Sequence, residues 1–347
     1  LEIKTNGPAP VLPGLELGFH NEICFINARL AADNAMLLGS GSHPLFDPYT
    51  ETRLWPHGDR EIYAQYDRIF DCRGHGWSNL QSVHLNLPFD GDEEFGRLHA
   101  AIRLILPLIP ALAASTPMLD GRLSGFMDTR LETYRKNQAR IPSLCGRIIP
   151  ERVFTEADYR REIFSRIEAD IRPHDPDGVL ESVFLNSRGA IARFDRNAIE
   201  IRLIDIQEAP LADVAVLELV VAAIRWLIEV APIPLAEQQQ WPEDLLADTL
   251  LEVIRDADGA RIRDRDYLAL FGCRERQATA AQLWRQIAER STDSLSTSAR
   301  SSLRHILTRG PLARRLLTHL GDRPGSARIR DVYAELGHCL GENRQLP

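Results

Sequence analysis

Glutamate, arginine and histidine recur at alternate positions in three short apolar segments of this chain. In Ala198–Leu203, Glu200 and Arg202 alternate with Ile199, Ile201 and Leu203. In Leu80–Leu87, Ser82, His84 and Asn86 alternate with Val83, Leu85 and Leu87, and in Leu1–Thr5, Glu2 and Lys4 alternate with Leu1 and Ile3. Successive side chains of a strand point to opposite faces, so each segment reads as a strand with one apolar and one charged face. If the strands share a sheet with helices on its apolar side, Glu2, His84, Asn86, Glu200 and Arg202 line one concave surface. Carboxylates with an imidazole suit a hard divalent cation such as Mg²⁺, which takes oxygen ligands and is usually shared with substrate phosphates. An adjacent arginine can grip a phosphate oxygen pair. The solvated face of an ordinary antiparallel sheet shows the same alternation, so the chemistry depends on the strands being brought together.

The elements that would do this are legible as periodicities. Helical spacing occupies Ala28–Leu38, Glu61–Cys72, Phe95–Ala114, Thr129–Ala139, Glu156–Ile171 and Ala212–Val230. Further strand signals lie at Ala190–Phe194, Ala198–Ile204 and Met36–Ser42. The expectation is an α+β fold, with a curved antiparallel sheet cupping the site and helices on its back. Pro232–Pro234 and Gln238–Gln240 read as a surface linker, giving a catalytic region 1–230 and a strand-free, Arg-rich helical region 231–347 on the same domain. Gly39 and Gly41, before His43, would let backbone approach a ligand closely. Asp205 and Glu208 read as solvent-exposed, His75–Trp77 as a loop or pocket wall, and Cys145 as structural, having no evident base beside it.

Composition narrows the function classes. The 347 residues are 44% hydrophobic, and 41 Lys plus Arg against 49 Asp plus Glu give a net charge of -8, so no overall positive field draws the chain to nucleic acid. Five scattered cysteines without a CxxC pair suggest neither a disulfide framework nor a zinc site, and fit a reducing cytoplasm. The longest apolar stretch, Leu217–Val230, is interrupted by Glu218, Arg225 and Glu229, so no membrane span is expected. Neither GxxxxGK[ST] nor GxGxxG occurs, and a nucleotide must be held another way. The first residue is Leu1, and the natural start is expected upstream.

Ser42-His-Pro-Leu-Phe-Asp-Pro, Ser82-Val-His-Leu-Asn, Ser115-Thr-Pro with Gly121, Asp128-Thr, Tyr134-Arg and Ile199-Glu-Ile-Arg, in that order, resemble glutamate-cysteine ligase family 2, the carboxylate-amine ligases. The resemblance spans roughly Leu1–Leu227 and implies a fold akin to the glutamine-synthetase catalytic domain. It also implies ATP and Mg²⁺ as cofactors and small-molecule substrates, glutamate or a similar amino acid plus an amine, joined through an acyl phosphate. With cysteine as the amine, the reaction would belong to glutathione biosynthesis. By the same resemblance Glu2, His84 and Glu200 match metal-binding positions and Arg202 the arginine at the transferring phosphate. Arg135 matches the arginine for the substrate α-carboxylate, and Asn86 and Lys4 are supporting substrate and nucleotide contacts. Members usually open with a further acidic strand before the equivalent of Leu1–Thr5, and that strand is missing here. The alternatives are a guanidino-kinase-like phosphotransferase and a non-catalytic amino-acid or nucleotide-binding homologue. Which amine is used, and whether the chain forms a homo-oligomer, are left open.

Overall fold

A computed structural model describes residues 1–231 and 233–347; Pro232, within the expected linker, lies outside them. The fold is α+β, mostly helical, around a three-stranded antiparallel sheet. Strand β1 (Ser82–Pro88) lies beside β3 (Ala198–Asp205), and β2 (Ala190–Arg193) flanks β3 on its other side. The β2–β3 hairpin closes through Phe194–Arg196 and Asn197, whose left-handed backbone (φ 48°) asparagine tolerates well. Its ladder pairs Arg193 with Ala198 and Ile191 with Glu200.

The β1–β3 ladder contains a bulge. Val83 faces Ile204 and Leu85 faces Ile201, so the single residue His84 stands opposite both Arg202 and Leu203. The extra residue lies on β3, and a bulge of this kind bends the strand that carries it and re-aims its side chains. Ile199, Ile201 and Leu203 are fully buried on the other face, in one core with Ile102 and Ile105 of helix α1 (Gly91–Ile105) and Val216 and Val220 of helix α3 (Pro210–Arg225). Each such side chain contributes about 1.5–3 kcal/mol by leaving water. Asp92, Glu93 and Glu94 in the first turn of α1 complement the positive end of its dipole. That core runs on through Leu246, Trp284 and Ile306, so the helices after residue 231 share it.

Five expectations are corrected. Leu1–Thr5 is exposed or half-buried coil outside every sheet: a period-2 pattern makes a strand only where a partner completes the ladder, and Asn6, Gly7 and Pro8 follow at once. Met36–Ser42 is also coil. A Cβ on Gly39 would stand 2.5 Å from the Gln207 carbonyl oxygen and one on Gly41 2.7 Å from the Asp205 carboxylate carbon, so this segment crosses the end of β3 rather than joining it. Asp205 and Glu208 are fully buried. Each meets a guanidinium remote in sequence, Arg130 for Asp205 and Arg315 for Glu208. The region after Trp241 contains one short strand pair, Arg261–Ile262 with Ala278–Thr279. The first helix runs Leu15–Leu30, earlier than its periodicity implied, and is followed by a short turn that Asn34 ends at φ 53°.

Candidate active site

Glu200 and Arg202 point from β3 to the same side. The Arg202 guanidinium donates to Glu200 Oε1 from Nη2 at 2.5 Å and from Nε at 3.2 Å. His84, opposite the bulge, brings Nδ1 to 3.4 Å from the same oxygen, and its Nε2 lies 3.0 Å from the Ser82 hydroxyl. Asn86 is the register partner of Glu200 and is exposed. The three reactive groups therefore meet at one carboxylate oxygen, open on one side: the His84 side chain is 42% exposed and that of Arg202 21%.

Burial raises the carboxyl pKa of Glu200, but the charge and hydrogen bonds of Arg202, with help from His84 and Arg193, hold it below its ordinary value. His84 is lowered to about 4, chiefly by burial and the Arg202 charge, against the opposing pull of Glu200 and Glu2. The imidazole is therefore neutral at neutral pH, with Nδ1 turned to the Glu200 carboxylate and Nε2 to the Ser82 hydroxyl. Burial works against the Arg202 charge, yet Tyr134 and Glu200 hold its pKa up. Tyr134 ends helix α2 (Thr129–Tyr134), and its hydroxyl donates to the Ser187 carbonyl at 2.9 Å, which fixes it beside Arg202.

Beneath this face lies a second, sealed arginine–carboxylate pair. Asp205 accepts from Ser115 N at 2.9 Å, from the Ser115 and Thr116 hydroxyls at 3.1 Å each, and from Arg130 Nε. Asp128 caps α2 through Leu131 N at 2.8 Å, and burial together with the Asp205 charge holds its carboxyl well above the usual range. Ser115-Thr and Asp128-Thr therefore build the floor under β3.

Of the residues expected in the site, the fold brings together His84, Asn86, Glu200 and Arg202. Glu2 and Lys4 sit on exposed coil, with Glu2 near enough for its charge to act on His84. Arg135 is one step past Tyr134, half-buried, and pairs with the buried Glu132 at 2.6 and 3.0 Å. Tyr134 and Arg193 are additions: Tyr134 was visible only as the neighbour of Arg135, while Arg193 shares the Glu200 face through the β2 register. The Cys145 thiol is pushed up by burial, which suits a structural role. As for a metal, the donors fit in part. His84 and Glu200 converge, but no group of three acidic, imidazole or thiol ligands forms among the described residues. A Mg²⁺ held partly by substrate phosphates and water needs only one or two protein carboxylates.

The model of glutamate-cysteine ligase family 2 matches residues 25–335. The chain belongs to that family. It is 39% identical over 223 residues to a protein of Archaeoglobus fulgidus described only as "Uncharacterized protein", covering 64% of this chain and 57% of that one. It is 29% identical over 170 residues to the "Putative glutamate--cysteine ligase 2-3" of Rubrobacter xylanophilus, covering 44% of this chain and 42% of the relative. The chain thus spans about half the length of the curated relatives it matches. Among the described residues, no helix is long and apolar enough to cross a membrane.

Proposed function

We propose that the chain carries the catalytic site of an ATP-dependent carboxylate-amine ligase that joins the γ-carboxylate of glutamate, or a similar acid, to an amine. The observation that carries this is the convergence of His84, Arg202 and Glu200 at one carboxylate oxygen, on the open face of the sheet, in a chain of this family. In the reaction, an oxygen of the substrate carboxylate attacks the terminal phosphorus of ATP and ADP leaves. The amine nitrogen then attacks the acyl carbon of the resulting acyl phosphate, phosphate leaves, and the nitrogen gives up a proton. Arg202, aimed by Tyr134 and Glu200, holds the transferring phosphoryl oxygens, where a fixed guanidinium stabilises developing charge at little reorganisation cost. Glu200 and neutral His84 would hold Mg²⁺, which would neutralise the crowded phosphate oxygens. Arg135 exchanges Glu132 for the α-carboxylate of the acid, Asn86 contacts the substrate beside Glu200, and Lys4 and Glu2 on the leading coil reach the nucleotide and its metal. The free thiols, four of the five buried, suit a reducing compartment such as the cytoplasm.

The test is ADP release from Mg-ATP with glutamate and a panel of amines, each alone and together, with Glu200→Ala as the blank. Release that needs acid plus amine, and vanishes in the variant, is the expected result. Release without amide formation would favour a phosphotransferase. Stabilisation by Mg-ATP without turnover would favour a binding homologue.

A further inference from the structure

Tyr134 and the backbone of Arg202 are both attached to one short segment, residues 187–189, just before β2. The Ser187 carbonyl accepts from the Tyr134 hydroxyl at 2.9 Å, and the Gly189 carbonyl accepts from the Arg202 amide at 3.0 Å. Gly189 lies so close to β3 that a Cβ there would stand 2.8 Å from Leu203 Cγ, an approach that glycine allows. Whatever fixes residues 187–189 therefore fixes the backbone of Arg202 and the phenol beside its guanidinium together.

Arg188 does the fixing from the other side. Its side chain is 1% exposed and forks onto Glu151, with Nε and Nη2 each 2.5 Å from a carboxylate oxygen. Nη1 donates to Asn186 Oδ1 at 3.0 Å and to the Ser143 carbonyl at 3.2 Å. A planar fork of this kind sets direction as well as charge. The same loop that meets the guanidinium also holds the residues on either side of it. Ser187 N donates to the Leu144 carbonyl and Gly189 N to the Ile148 carbonyl, both at 2.7 Å.

That loop is strained at the point of grip. Buried Ile148 has φ 69°, a left-handed conformation that a β-branched residue adopts only where its surroundings impose it. Gly146, at φ 53°, leaves room for the fork, since a Cβ there would lie 3.1 Å from Arg188 Nη2. Imposed backbone strain concentrates where a reacting group must be aimed.

We propose that Arg188, with Glu151 and the Ile148 turn, is the positioning residue of the site: it sets residues 187–189, and through them aims Tyr134 and Arg202 at the transferring phosphate. It acts through those two side chains rather than on the substrate. The phosphate transfer rests on the ligase reading; the aiming of Arg202 does not.

The experiment is a double-mutant cycle in the full chain with E151Q, Y134F and E151Q/Y134F. Glu151 is the position changed because its side chain is 31% exposed, whereas truncating Arg188 would leave a buried gap. ADP release, Mg-ATP affinity by calorimetry and urea unfolding are measured on all four proteins. E151Q and Y134F are each expected to lower kcat about tenfold with KM for the acid and amine held within about twofold. The double variant is expected to fall no further than about twofold below the weaker single, because both changes act on one guanidinium. Wild-type turnover in folded E151Q, effects that multiply in the double variant, or a rise in KM at constant kcat overturns the proposal and leaves the ligase intact. If the wild type releases no ADP, the ligase reading falls and Mg-ATP affinity decides: non-multiplicative weakening supports the aiming of Arg202, and unchanged or absent binding overturns it.

Discussion

Strand β3 carries two arginine–carboxylate pairs within one turn of the ladder, and they differ in how many donors surround the carboxylate. Asp205 is fully buried, with a backbone amide, two hydroxyls and Arg130 filling its oxygens. Glu200 is met only by Arg202 and His84, both side chains that reach solvent. The chemistry of the pair is the same in both places. Saturation makes the first a tie between β3 and α2, and vacancy on one side leaves the second able to exchange a partner for a ligand. An arginine–carboxylate pair is thus read for function from its remaining coordination, not from its presence.

The sharpest way to break that contrast is at the sealed pair. Asp205→Ala should destabilise the fold by about 3–5 kcal/mol, because Arg130 is left charged and buried without its partner. Urea unfolding measures this, and a loss near zero would erase the distinction. Next in size, Arg202→Ala should slow phosphoryl transfer about 10²–10³-fold, worth about 2.7–4 kcal/mol in barrier, with a much smaller change in unfolding free energy. Weakened substrate binding at an unchanged rate would instead make Arg202 a docking residue.

The third effect is a pH slope. His84 is lowered to about 4 in the fold, against about 6.5 in an unfolded chain. Between those values the unfolded state binds a proton that the native state refuses, so stability falls as pH drops from about 6.5 to about 4. Because the ring is part-exposed, the amplitude should be modest, and His84→Gln should flatten that part of the profile in denaturant titrations at successive pH values. A slope unchanged in the variant would place the cause elsewhere, with fully buried His99, lowered to about 3 by burial, the next candidate. The smallest effect belongs to the Arg135–Glu132 pair: Lys136 also reaches the buried Glu132 carboxylate, so Arg135→Ala, which removes one of two cations, should alter stability by no more than about 1 kcal/mol. If Arg135 also takes the acid substrate, KM for glutamate rises in the same variant while kcat holds.

How much of this was legible in the sequence follows from the range of the interactions. The alternation in Ala198–Leu203 and Leu80–Leu87 was enough to place Glu200, Arg202, His84 and Asn86 on one face, because the period of a strand is local. The bulge opposite His84 and the ladder that puts Arg193 beside them depend on pairing, which no single strand states. The same limit misplaced Leu1–Thr5, which alternates correctly but has no partner, and Asp205, whose charge looked like a surface charge until Arg130 came against it. Gly39 and Gly41 suggest close approach to a ligand in the sequence; in the fold they approach the end of β3 instead.

The buried pair of Glu208 with Arg315 carries one further consequence. Arg315 also donates to the Leu346 carbonyl at 2.8 Å, so the end of the site strand, a late helix and the last residues are tied at one point. The segment expected to be a linker is therefore not a seam. A fragment cut there would keep Glu208 and lose the guanidinium that makes its burial tolerable. Recombination or trimming of this chain should respect that tie: the helical half cannot be swapped as a cassette unless an arginine arrives with it.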